Sequence, residues 1–171
     1  MTSNKLTSEM AQGFTLIEIL VAVLVLSIGL LGMASLQLLG SQSSQGAASR
    51  TQAALLAYDL AERMRNNRDA ALNGSYGNGQ LAAPNDPACI FQGGGCNPDQ
   101  LAAHDIREWL DHIVDVNNVG LDGNNWQPSI AGATASLAQN NNQFTLTISW
   151  QETDSGSQQL LQRSYEMGFE I

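Results

Sequence analysis

The chain has 171 residues, with 16 acidic side chains against 7 basic ones and a formal charge of −9. That length leaves room for one modest domain plus a long helix. Such an acid balance argues against nucleic acid as a partner, because phosphate is bound by lysine and arginine, and beyond Lys5 the chain has only arginines for that work.

Residues 1–13 are polar, and the apolar segment follows them. In the run 13–39 the order Gly13-Phe14-Thr15-Leu16-Ile17-Glu18 is followed by Ile19-Leu20-Val21-Ala22, and no further charge occurs before Arg50. An apolar helix needs about 20 residues to cross a bilayer, so the run is long enough. Glu18 is costly in such a setting. Read locally, Thr15 and Glu18 have capping-box spacing, and a carboxylate near a helix N-terminus is favourable. The whole string, however, resembles the type III signal of type IV pilins and pseudopilins. That resemblance implies a leader over 1–13, cut after Gly13 by a prepilin peptidase, with methylation of the new N-terminal Phe14. It also implies that Glu18 pairs with the N-terminal amine of a neighbouring subunit during assembly. The leader is not a secretory signal peptide, whose apolar stretch would precede the cut. Lys5 and Glu9 balance, so cleavage leaves the net charge unchanged. With so few positive charges the positive-inside signal is weak, and orientation follows from the resemblance.

From Ser41 to Ser49 the chain turns small and polar, with Gly40 and Gly46 as soft points. Helical chemistry returns over 50–72. Ala53, Leu56, Leu60 and Met64 form an apolar stripe. Asp59 with Arg63, and Glu62 with Arg65, are spaced for ion pairs. Asn73-Gly74 supplies a stop. A helix over 14–72 would span roughly 90 Å at 1.5 Å per residue, more than one small domain can bury. Its inner half must then face lipid or other copies, and its outer half its own head. No proline precedes Pro84, which leaves Gly29 and Gly32 as the expected sites of local melting.

The segment Asp59-Leu60-Ala61-Glu62-Arg63-Met64-Arg65-Asn66-Asn67-Arg68 is similar to one in the type IV pilus modification protein PilV family of minor pilins. Ser27-Ile28-Gly29-Leu30-Leu31-Gly32 and Leu36-Gln37 add to that likeness, which covers about the first third of the chain. On residues alone the arginines are also a solvated helix end, where cations favour the dipole.

Residues 73–98 read as loop, broken by Gly74, Gly77, Gly79, Pro84, Pro87 and Gly93-Gly94-Gly95. Cys89 and Cys96 bracket Ile-Phe-Gln-Gly-Gly-Gly. In the exported head that the resemblance implies, the two cysteines are expected to form a disulfide. A metal is not expected there, since two cysteines without nearby histidines fall short of the usual ligand set.

Asn97-Pro98-Asp99-Gln100 reads as a helix start, with Asn97 as cap, Pro98 in the first position and Gln100 at the capping-box position. Ala102, Ile106, Trp109, Leu110 and Ile113 form the buried stripe. His104, Glu108 and His112 share a face, but the histidines stand two turns, about 12 Å, apart along the axis, too far to ligate one ion. Asp115, Asn117 and Asp122 hint at a calcium loop. Val119 and Trp126 occupy positions that should be ligands, so the stretch reads as an Asn/Gly-rich connection.

The C-terminal third is β. Phe144, Leu146, Ile148 and Trp150 alternate with polar residues, as do Leu161, Tyr165, Met167, Phe169 and Ile171, while 131–137 is a weaker strand. Turns are expected over 139–143 and 153–158. The fold class is therefore α+β and pilin-like, with a long N-terminal helix packed on a small antiparallel sheet of three or four strands. The division is a leader over 1–13, a helix over 14–72 with its membrane or filament-core part at 14–39, and a head over 73–171.

No nucleophile elbow, phosphate loop or cysteine with a neighbouring histidine occurs. The sequence gives no sign of an enzyme, a cofactor or a resident metal. The resemblance implies a minor pilin that helps prime assembly of a type IV pilus and sits in a tip complex, supporting twitching motility and adhesion. Its implied partners are other minor pilins, the major pilin, a PilY-type tip adhesin and the prepilin peptidase. Its implied place is the inner membrane, single-pass, with a periplasmic head, and then the pilus tip at the cell surface. The alternatives are a minor pseudopilin of a type II secretion system and a membrane-anchored periplasmic enzyme or ligand-binding module.

Overall fold

The computed structural model describes residues 14–114, 129–130, 132–154, 157 and 159–171. The leader with Gly13, the connection 115–128 with Asp115, Asn117, Val119, Asp122 and Trp126, and Ala131 lie outside the described residues. The chain forms two units that divide between Ser41 and Gln42.

Helix α1 runs over Leu16–Asn66, 51 residues without interruption. Gly29, Gly32 and Gly40 stay helical, which corrects the expectation of local melting at the first two. Each glycine costs the helix roughly 1 kcal/mol, but a freed N–H or C=O in so apolar a stretch has no better partner than the helix ladder itself. The hydroxyls in this stretch are satisfied the same way. Ser27 Oγ donates to the Val23 carbonyl at 2.7 Å and Ser35 Oγ to that of Leu31 at 3.2 Å.

The helix stops sooner than its periodicity predicts. It ends at Asn66, and a short helix α2 follows over Arg68–Leu72. Asn67 at the break is buried, with φ −121°. Its side-chain amide donates to the Pro98 carbonyl at 2.7 Å, a bond to a residue far along the chain that no local pattern shows. The expected stop at Asn73-Gly74 ends α2. Gly74 sits at φ +84° and donates its N–H to the Ala71 carbonyl at 3.1 Å.

Helix α3 covers Pro98–Val114. Its start is a reciprocal capping box: the Gln100 N–H donates to Asn97 Oδ1 at 2.8 Å, and the Asn97 N–H donates to Gln100 Oε1 at 3.0 Å. The sheet is an antiparallel meander in the order β1 (Gly79–Gln80), β2 (Thr134–Asn140), β3 (Gln143–Thr153), β4 (Leu160–Glu170). Strand β1 lies inside the stretch read as loop, where Gly79 pairs with Leu137 and Gln80 with Ser136. Two residues are too few to show a period. Between β2 and β3 the turn narrows to Asn141 and Asn142, with Asn141 at φ +58°, a conformation asparagine tolerates. Phe144, Leu146, Ile148 and Trp150 all point inward, as their alternation predicts.

One apolar core joins these elements. Ala53, Leu56, Ala57, Leu60, Ala61 and Met64 of α1 enter it with the α3 stripe and the inner faces of β2 and β3. The alanines on α1 leave its backbone within reach. Trp109, fully buried, donates its indole N–H to the Leu56 carbonyl at 2.8 Å. Trp150 is as deeply buried, yet its Nε1 has no hydrogen-bond partner among the described residues.

A charged network crosses the same region. Arg63 Nε meets Asp59 Oδ2 at 3.0 Å as the spacing predicts, but its Nη1 also reaches Glu108 Oε2 at 2.7 Å and Asp105 Oδ1 at 3.4 Å. The Tyr76 hydroxyl donates to Asp105 Oδ2 at 2.6 Å. Burial works against the Arg63 charge, but Glu108 and Asp59 hold its pKa above the ordinary arginine value. Burial, then the bond to Asp105, pushes the Tyr76 hydroxyl up. The Arg63 hydrogen bond holds Glu108 below the usual carboxylate range.

The two tryptophans give a matched comparison. Trp109→Phe strands a donor-less ring beside the Leu56 carbonyl, while Trp150→Phe removes an N–H that has no partner. In urea melts of the detergent-solubilised chain, Trp109→Phe should therefore be the more destabilising by about 1 kcal/mol. Equal losses would show that the indole bond contributes nothing. Glu108 gives a pH signature. Its folded pKa lies below the unfolded one, so the stabilisation is present at neutral pH and is lost as pH falls through the folded value. The drop in melting temperature between neutral pH and about pH 3 should be smaller for Glu108→Gln than for the wild type. An identical drop would assign the acid sensitivity elsewhere.

Candidate functional site

The feature that sets this chain apart is the first part of α1. By length and composition α1 is a helix able to cross a membrane. Large apolar side chains from Phe14 to Leu39 stand exposed, Phe14 at 78 %. Glu18 interrupts this surface. Its N–H donates to Thr15 Oγ1 at 3.4 Å, long for a capping bond. The return bond, from the Thr15 N–H to the Glu18 carboxylate, does not form, and the carboxylate has no hydrogen-bond or ion-pair partner among the described residues. Local capping thus accounts for the spacing of Thr15 and Glu18 but leaves the charge itself unused.

The other candidate positions are spent on structure. Glu108 is held by Arg63, and His104 Nδ1 lies 3.4 Å from Asp86 Oδ1. Asp86 also accepts the Ala88 N–H at 2.9 Å, and that bond, with His104 second, lowers its pKa. His112 has an interaction of its own. Among the described residues no three His, Cys, Asp or Glu side chains converge as a metal site would require. A shallow pocket of about 310 Å³ opens beside Tyr76, Leu81, Pro84 and Ile106. Its one titratable group, the Tyr76 hydroxyl, is committed to Asp105 and pushed up, a poor choice for acid–base work near neutral pH.

Cys89 and Cys96 are joined as a disulfide with their Cα atoms 4.9 Å apart. Cys89 is buried, while Phe91 at the loop's tip is 94 % exposed. Of the three glycines only Gly95 takes a positive φ, +68°, so the turn requires glycine at one place and not three.

Two features escaped the sequence. Asp105 falls among the apolar positions of α3, and a carboxylate inside a buried stripe is itself a sign of a distant cation. Arg63, spaced for Asp59, gave no hint that it also serves Glu108. The second feature is Gly46. A side chain there would place its Cβ 2.3 Å from Glu152 Oε1. Its role is to admit a carboxylate from β3, not to soften the helix.

Comparison with known families falls on the same segments. A family model for the prokaryotic N-terminal methylation motif matches residues 10–34. A second, described as type IV pilin Tt1218, matches residues 35–107. No curated protein and no solved structure matches the chain. The two matches abut over the apolar helix and the elements through most of α3, on a chain whose exposed apolar α1 and four-stranded antiparallel sheet make an α+β pilin architecture; the chain is a type IV pilin-like protein, a subunit of the pilin or pseudopilin kind.

Proposed function

We propose that the chain is a minor pilin of a type IV pilus, PilV-like, that helps prime filament assembly and takes a place in a tip complex. The observation that carries this is Glu18, a lone carboxylate on an apolar helix with no partner among the described residues. Burying an unpaired charge costs several kcal/mol, so a partner must come from outside. In this reading the partner is the N-terminal amine of an adjacent subunit, freed by cleavage after Gly13 and methylated on Phe14. Residues 1–13 are the leader, 14–72 the helical spine and 73–171 the head. The spine anchors the protein in the inner membrane with the head in the periplasm until it enters the pilus. Other minor pilins, the major pilin, a PilY-type adhesin and the prepilin peptidase are its partners, and twitching and adhesion are the processes it serves. Its role is structural, with no catalysis and no cofactor. The disulfide between Cys89 and Cys96 suits a head that matures in an oxidising compartment.

Processing is tested by intact mass. Protein extracted from membranes should begin with N-methylated Phe14, and Gly13→Val should retain the leader, because a bulky side chain at the cut should not fit a peptidase that accepts glycine. A wild-type chain that keeps its leader refutes the processing step.

Assembly is tested at Glu18. Glutamine keeps the capping-box role but removes the charge. Glu18→Gln should therefore insert and be cleaved normally yet co-purify poorly with sheared pili and with the other minor pilins, at matched membrane abundance. Wild-type incorporation of this variant would return Glu18 to a capping role. A deletion strain that loses type II secretion while keeping pili and twitching would move the protein to the pseudopilins.

A further inference from the structure

The sheet ends at β4, with no strand on its outer side among the described residues. The ladder shows which of its peptide groups are open. Beyond one end the Ile171 N–H donates to the Asn142 carbonyl at 3.0 Å, and beyond the other the Asp154 N–H donates to the Gln159 carbonyl at 2.8 Å. Bonded and unbonded residues alternate along an antiparallel pair. The odd-numbered residues of β4 therefore bond to β3, and the even-numbered ones turn N–H and C=O to the open side.

Three of these open residues also carry recognition chemistry. Phe169 stacks on its inward-pointing register partner Phe144, so Glu166, Gly168 and Glu170 lie on the outward face. Glu166 is exposed and has no hydrogen-bond or ion-pair partner among the described residues. Glu170 is exposed and accepts a bond from the neutral Asn142 amide, which leaves its charge in place. Between them Gly168 floors a hollow of about 320 Å³, walled on this face by Gln143, Thr145 and Glu170. A Cβ added at Gly168 would touch nothing. On the inward face the core is not closed at this border. Tyr165 and Phe169 are only half-buried, while their β3 partners Ile148 and Phe144 are buried.

We propose that this edge binds an extended segment of another protein, added antiparallel beside β4, with the pattern basic, apolar, aromatic, apolar, basic. Main-chain bonds form at Glu166, Gly168 and Glu170, and side chains at alternate positions give the specificity. The two basic residues face Glu166 and Glu170 as cross-strand ion pairs. The aromatic ring between them lies over Gly168, in the hollow that the missing side chain leaves. The two apolar residues stand beside Met167 and Phe169 and close the border of the core. The charge pattern excludes a second copy as the donor. The pattern needs basic residues four positions apart, and no two of the chain's 7 stand so. The site lies wholly in the head and holds whether or not Glu18 pairs with an amine.

The test uses the full detergent-solubilised chain and a blocked, fluorescently labelled peptide whose central residues are lysine, valine, tyrosine, valine and lysine. Anisotropy should show saturable binding, and hydrogen exchange should slow at the amides of Glu166, Gly168 and Glu170. Two methylated forms of the peptide fix the register. Methyl on the tyrosine amide, which faces β4, should abolish binding, whereas methyl on a valine amide, which faces away, should leave it near the parent. Glu166→Lys, at an exposed position that should not disturb folding, should weaken binding about fivefold at low salt and less at high salt, as expected for one exposed ion pair turned to repulsion. The peptide with glutamates in place of both lysines should not bind the wild type. No binding of the parent peptide, equal binding of the two methylated forms, or indifference to Glu166→Lys overturns the proposal. A dimer of the chain that the peptide dissociates would give the edge to a second copy and also overturn it. None of these results bears on whether Glu18→Gln enters pili.

Discussion

The structure depends on an apolar surface that its own chain leaves open. From Phe14 to Leu39 nearly every side chain is hydrophobic and exposed. In a medium without water each peptide group must be paired internally, which makes a continuous helix the only economical backbone. This explains why two glycines and two serines pass without a break. It also makes the one carboxylate, Glu18, conspicuous, a charge on a surface that is otherwise apolar and exposed.

The second unit solves the ordinary problem of a small domain. Its core is gathered around one stripe of α1, and the stripe's alternation of alanine with leucine and methionine lets Trp109 reach past side chains to a backbone oxygen. The Arg63 network then sets a polar clasp at the margin of that core. Each carboxylate in it neutralises a cation that burial would otherwise disfavour. Tyr76 and Asn67 extend the clasp to the loop after α2 and to the start of α3.

Much of this was legible because it is local. The capping box at Asn97, the α3 stripe, the inward face of β3 and the signal around Gly13 and Phe14 are written in residues a few positions apart, where helical and strand periods operate. What was missed is long-range or too short to have a period. The bond from Asn67 to Pro98 ends α1 six residues before its pattern does. Strand β1 has two residues. Gly46 reads as a weak point until Glu152 is seen against it, from the far side of the sequence. At Glu18 the limit is of another kind, since no group among the described residues pairs with its carboxylate.

The order of the sheet leaves two edges that differ sharply. One is β1, too brief to template anything. The other is β4, an 11-residue strand whose outer row of peptide groups faces no further strand among the described residues. Long open edges invite another chain to add itself, and that route leads toward cross-β aggregates. Here the strand places Arg163 on the inward-facing row and Glu166 and Glu170 on the other, in a chain already rich in negative charge. Copies meeting edge to edge would bring like charges into register, which is unfavourable. A chain that leaves an apolar helix surface open thus guards the open edge of its sheet, so that association through one element is kept from spreading to the other.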